Sequence, residues 1–126
     1  PAISKGKRNI ILIMGFSFKE NCPDTRNSKV LDIINELKDW GIKVIIDDPW
    51  ADPKELKKIS SIKLETINSQ NQVDALIVAV GHDEYRLKSA QELKSYCKGP
   101  NPVIADVKSI YKKQDLTDHG FSVFRL

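Results

Sequence analysis

Four short runs of nearly unbroken apolar residues punctuate this chain: NIILIMG (9–15), KVIIDDPW (43–50), DALIVAVGH (74–82) and NPVIADVKS (101–109). A strand with one wet face alternates apolar and polar residues, so an unbroken run calls for cover on both faces. A parallel sheet has that cover, because each parallel connection needs a crossover of a dozen residues or more, usually a helix. The polar segments between these runs are long enough for one. The pattern predicts an α/β fold: a three-layer α/β/α, Rossmann-like domain with a mostly parallel sheet of about five strands, the last of them FSVFRL (121–126). Pro102 fits only the start of its strand.

The intervening segments carry the helical period. In SKVLDIINELKDWG (28–41), Val30, Ile33, Ile34, Leu37 and Trp40 recur at helical spacing, Asn27 or Ser28 can cap the start, and Gly41 stops the end. Pro53 opens a short helix through about Lys58. Ile62 to Leu64 reads as a weak extended stretch, 89–97 as a helix with Leu93 and Tyr96 inward, and 111–120 as a short helix. At 126 residues the chain suits one domain, residues 1–126, with no internal repeat. It begins at Pro1 rather than Met, as a processed or excised piece would.

Charge excludes some partners. Twenty basic against 17 acidic side chains leave +3, too mild and too scattered for a nucleic-acid surface. The longest apolar run, Ala75 to Val80, is too short to span a bilayer, and no secretory signal precedes the first strand. Cys22 and Cys97 form no CxxC and have no histidine at metal-ligand spacing. Reduced thiols in the cytoplasm, no membrane and no metal are expected.

In a parallel sheet, ligands bind beyond the carboxyl ends of the strands. The first strand is followed there by GFSFKENCPDTR (15–26), a loop with far more chemistry than a connection needs. The helix after it offers free N–H groups, Lys19 a mobile cation and Arg26 a forked one, a set that suits a diphosphate. Phe16 and Phe18 either present flat surfaces to a base or sugar or plug the core, and Asp24 either orients Arg26 or forms a local ion pair with it. After Gly15 there is no second or third glycine before the helix, so the dinucleotide fingerprint is absent.

The other strand ends bring Asp47 and Asp48, then Gly81 and His82 beside Asp83 and Glu84, then Asp106 and Lys108. Paired acids with a lysine on one edge also suit a receiver-like regulatory module that binds Mg²⁺, although such a site wants acids after the first strand, where Gly15 and Phe16 stand. Asp48 otherwise caps the turn at Pro49, and His82 is a satisfied loop histidine. No nucleophile with a fixed base can be assigned.

The motif GFSFKENCPDTRNS, with DPW some twenty residues later and then VDALIVAVGHDEY and IADVKSI, resembles the C-terminal, UDP-binding domain of the UDP-glucose/GDP-mannose dehydrogenase family. KENCPD and DVKS are similar to the branch that oxidises UDP-N-acetylhexosamines for surface polysaccharides. The resemblance implies a fragment of an NAD-dependent enzyme, homodimeric through a central segment, whose catalytic cysteine and NAD domain are not in this chain. By the same resemblance Phe18, Lys19 and Lys108 contact the UDP-sugar substrate and Arg26 closes over the NAD side. Lys108 stands where some members carry arginine, so it offers a point charge rather than a fork. A third alternative is an interaction domain whose loop is merely well packed.

Overall fold

A computed structural model of the chain describes residues 9–17, 19–24, 29–59, 64–66, 68–70 and 72–125. Among these residues, five strands and five helices follow in the order β1 (Ile10–Met14), α1 (Val30–Asp39), β2 (Lys43–Asp47), α2 (Pro53–Ile59), β3 (Ala75–Val78), α3 (Asp83–Arg86), α4 (Ala90–Ser95), β4 (Val103–Asp106), α5 (Lys113–Asp118) and β5 (Ser122–Phe124). The strands form one sheet in the order β2-β1-β3-β4-β5, and every pairing is parallel.

The unbroken apolar runs have the cause inferred for them. Along β1, Ile11 and Ile13 enter one core with Val30 and Ile34 of α1 and Leu56 of α2. Leu12 and Met14 point the other way, into a second core with Tyr85 of α3, Leu93 of α4 and Leu116 of α5. Two faces, two cores and a central sheet make the three layers. Leu76, Val78 and Ile104 supply the second core from β3 and β4, while Ala75 and Val103 of the same strands enter the first.

The helix read over 28–41 is α1, with Trp40 as its C-cap and Gly41 beyond it at φ +78°. Its expected caps, Asn27 and Ser28, lie outside the described residues. Strands end sooner than their apolar runs: β3 stops at Val78, and 79–82 form the rim of the sheet. Within the extended stretch read at Ile62 to Leu64, only Leu64 is described, bridging Ile46 in parallel. One helix has no counterpart in the sequence reading, the single turn α3. Ser89 starts α4 by accepting from the Glu92 N–H at 3.1 Å. No helix among the described residues is long and apolar enough to cross a membrane.

Candidate functional site

After β1 the chain crosses to β2 at one edge, then returns past β1 to form β3 on its other side. The loops leaving β1 and β3 therefore part in opposite directions, and a crevice opens between them at the carboxyl ends of the strands. A cleft of about 530 Å³ occupies that position. Ser17, Lys19 and Glu20 line it from the β1 loop, Lys29 and Val30 from the start of α1, Ala79 to Gly81 from the β3 rim, and Arg86 and Lys108 from beyond.

Its floor depends on close backbone contact. Gly15 has φ +102°, and a Cβ there would stand 2.5 Å from Val80 Cβ, so only glycine lets the two loops meet. Phe16, the next residue, turns wholly into the first core and offers no surface to a ligand. Its N–H and that of Ser17 donate to Asp48 Oδ2 at 2.7 and 2.8 Å. Asp48 Oδ1 accepts from the N–H groups of Trp50 and Ala51 at 2.7 and 3.0 Å, the turn cap expected at this position. The same oxygen lies 3.0 Å from His82 Nε2. Burial alone would raise the Asp48 pKa, but the hydrogen bond from His82 and those from the Phe16, Ser17 and Trp50 backbone overcome it and hold it at about 2.

His82 is completely buried and joins this carboxylate to the loop. Its Nδ1 accepts from the Asn21 N–H at 2.8 Å, so the ring proton sits on Nε2, facing Asp48 and, at 3.1 Å, Ser17 Oγ. Asn21 holds φ +54°, and its Oδ1 accepts from the Asp83 N–H at 3.0 Å. Ser17 Oγ donates to the Lys19 carbonyl at 3.2 Å. Residues beyond β1, β2 and β3 thus clamp the stretch that presents Lys19.

Lys19 and Lys108, two of the residues singled out in the sequence, line this one cleft. Phe18 and Arg26, the other two, lie outside the described residues. Lys29 joins them, and neither it, Lys19 nor Lys108 has an acidic partner among the described residues. Arg86 pairs with Glu20 at 3.3 Å. The sequence reading missed Lys29, Arg86 and the Asp48–His82 joint. A histidine ending a buried strand, with two aspartates ending its neighbour but one, was the available signal for the joint.

The Mg²⁺ alternative is not favoured. N–H donors occupy both oxygens of Asp48, and Asp47 accepts the Tyr85 hydroxyl at 2.7 Å through its carboxylate. Among the described residues no three of His, Cys, Asp and Glu are grouped to hold a metal. Nor do the residues fit a dinucleotide: Gly15 is the single glycine between β1 and α1, and it serves the contact with Val80.

The UDP-glucose/GDP-mannose dehydrogenase family, UDP binding domain, matches residues 12–113. The UDP-N-acetyl-D-glucosamine 6-dehydrogenase of Salmonella typhi is 37% identical over 100 residues, which are 79% of this chain and 23% of that protein. Protein CapL of Staphylococcus aureus is 36% identical over 104 residues, 82% of this chain and 24% of that one. The crystal structure of NDP-N-acetyl-D-galactosaminuronic acid dehydrogenase from Methanosarcina mazei Go1 shares the fold, with a TM-score of 0.84 at 20% identity over 96% of this chain and 25% of that one. This chain therefore spans about a quarter of the length of the relatives it matches.

Proposed function

The chain belongs to the UDP-glucose/GDP-mannose dehydrogenase family, as its UDP-binding domain, and on that premise we propose that its cleft grips the diphosphate of a UDP-sugar. One observation carries the reading: Lys19 and Lys108, without acidic partners among the described residues, line the same crevice at the switch point of the sheet. Unpaired ammonium groups on a rim repel one another, and a bound pyrophosphate relieves that repulsion. Phe18 is the candidate to contact the sugar or base, and Arg26 the candidate to reach toward a nicotinamide cofactor.

The whole protein is then a cytoplasmic, homodimeric, NAD-dependent UDP-sugar 6-dehydrogenase that oxidises a UDP-N-acetylhexosamine to its uronic acid for surface polysaccharide. Support for the substrate class comes from the Salmonella relative, named for UDP-N-acetyl-D-glucosamine, and the polysaccharide role rests on the resemblance of KENCPD and DVKS. NAD would accept the hydride. It would be held by parts of such a protein that this chain does not span, so this chain contributes substrate binding and no chemical step.

Calorimetric titration with UDP, with and without Mg²⁺, tests this. Weak, metal-independent binding is expected, because one domain supplies only part of a cleft wall and ordering the loop opposes binding. Lys19→Ala and Lys108→Ala should each weaken it, and added salt should weaken it further. Binding that survives both substitutions unchanged, or that requires Mg²⁺ and Asp48, would sink the reading.

A further inference from the structure

We propose that Arg86 is a further ligand for the diphosphate in this cleft, held ready by the Gly81 carbonyl and screened in the free protein by Glu20. The inference rests on the UDP-binding reading above and adds to it a residue and a built-in competitor.

Three lysines line the cleft, and each is a point charge on a flexible stem. Arg86 is the one guanidinium lining it among the described residues, and it offers the planar, two-pronged recognition of a phosphate that a lysine does not. It reaches the cleft because α3 is a single turn that directs its last residue back over the β3 rim. There Arg86 Nε donates to the Gly81 carbonyl at 3.1 Å, which fixes the plane of the group. The guanidinium then lies across the Gly81 backbone, where an added Cβ would come within 2.9 Å of Nη2. Gly81 is therefore a seat for Arg86 rather than a bend in the chain.

Beyond Nε, one bond is made: Nη2 donates to Glu20 Oε2 at 3.3 Å. The remaining N–H groups of the guanidinium have no acceptor among the described residues. The two side chains are 47% and 59% exposed, so water and salt weaken their attraction. A diphosphate carries more charge than one carboxylate and accepts both prongs at once. It therefore displaces Glu20 from Arg86 without disturbing the Gly81 bond. Glu20 lies in the loop that presents Lys19, next to it in sequence, so the exchange also frees the loop's acid to turn outward.

The test is a double-mutant cycle on the chain, read by calorimetry at low salt with UDP and inorganic pyrophosphate as probes. Thermal melting of each variant checks the fold. Arg86→Gln should weaken both probes about tenfold. Glu20→Gln should tighten both about threefold by removing the competitor, and that gain should vanish in the Arg86→Gln background. Arg86→Lys keeps the charge but not the fork and should bind almost as poorly as Arg86→Gln; it carries the test if the glutamine variant fails to fold. Unchanged binding by the arginine variants overturns the inference, and so does a Glu20→Gln gain that persists without Arg86. Either result with Lys19→Ala still defective leaves the UDP reading standing, whereas wild-type chain that binds neither probe overturns both.

Discussion

His82 Nε2 stands 3.0 Å from Asp48 Oδ1, and neither side chain reaches solvent. The two come from the ends of β3 and β2, strands that are not neighbours but flank β1. Between them they hold the backbone N–H groups of Phe16, Ser17 and Asn21, the stretch that leaves β1 and carries Lys19. A buried polar joint helps a fold only when each of its members is satisfied, and among the described residues none of the buried side-chain polar atoms lacks a partner. The cleft is therefore shaped from beneath by a histidine and an aspartate whose side chains are both shut off from solvent.

Acid should loosen this joint. The Asp48 pKa falls from the ordinary 3.8 to about 2 in the folded chain. A depressed carboxyl stabilises the fold above its unfolded value, and the contribution is lost as pH drops below 3.8 through about 2. That depression is worth on the order of 2 kcal/mol. Denaturant unfolding of wild type between pH 6 and 2 should show that loss, and Asp48→Asn should be weaker at neutral pH with a flatter profile across the same window. An Asp48→Asn profile parallel to that of wild type would place the titration elsewhere.

Replacing His82 should separate its two nitrogens. His82→Ala leaves the Asn21 N–H unpaired, removes a donor from Asp48 and opens a cavity, for a loss of about 3 kcal/mol. His82→Asn can keep an acceptor near the Nδ1 position and so preserve the loop bond, at a cost of about 1–2 kcal/mol for the lost donor. Chemical denaturation ranks the pair, and amide exchange at Asn21 reports the loop bond directly. Faster Asn21 exchange in the alanine variant than in the asparagine variant is the expected order.

The sheet was legible in the sequence because its central strands are buried on both faces. Nothing else in a chain this size requires Ile10 to Met14 to be apolar without a break. Helix α1 was legible because Val30 and Ile34 repeat at one turn and both reach the core. The single turn α3 was not, since four residues have no period to detect, and Arg86 was lost with it. Asp48 shows the same boundary within one side chain. Its Oδ1 bonds to Trp50 and Ala51 are local and follow from the sequence, whereas its Oδ2 bonds reach back to Phe16 and Ser17. Those exist only because β1 and β2 lie side by side, a fact of topology rather than spacing. For the cleft, residue types in the first loop indicated an anion, but which cations converge depends on the strand order.

Two glycines with left-handed backbones should respond differently to a methyl group. At Gly15 the added Cβ meets Val80 Cβ at 2.5 Å, on top of φ +102°, and Gly15→Ala should destabilise by several kcal/mol, about 3–5. At Gly41, φ is +78° but nothing lies within 4 Å, so Gly41→Ala should cost only about 1 kcal/mol, the backbone preference alone. Thermal melts of both variants decide it. Equal losses would mean that β1 and β3 do not meet at Gly15 as described.

The two cysteines should differ in reactivity by orders of magnitude. Cys97 is buried in the second core, with its Sγ 3.7 Å from the Leu93 carbonyl. Burial pushes its thiol up to about 12 against the milder opposing pull of Lys94, so at pH 8 only about one molecule in ten thousand carries the reactive thiolate. Cys22 sits half-buried on the loop beyond β1, where reagent can reach it. Iodoacetamide at pH 8 should therefore add one group to the native chain, at Cys22, and a second only after guanidinium unfolds it, as mass spectrometry of the digested peptides would show. Slow native labelling of Cys97 would measure how often the second core opens, because alkylation requires that opening before chemistry. His82→Ala should leave this slow rate far below that of Cys22, since the joint lies at the carboxyl rim and Cys97 pairs with Val73 at the opposite end of β3. If both cysteines label at similar rates in the native chain, α4 is not packed on the sheet as the buried Leu93 and Cys97 require.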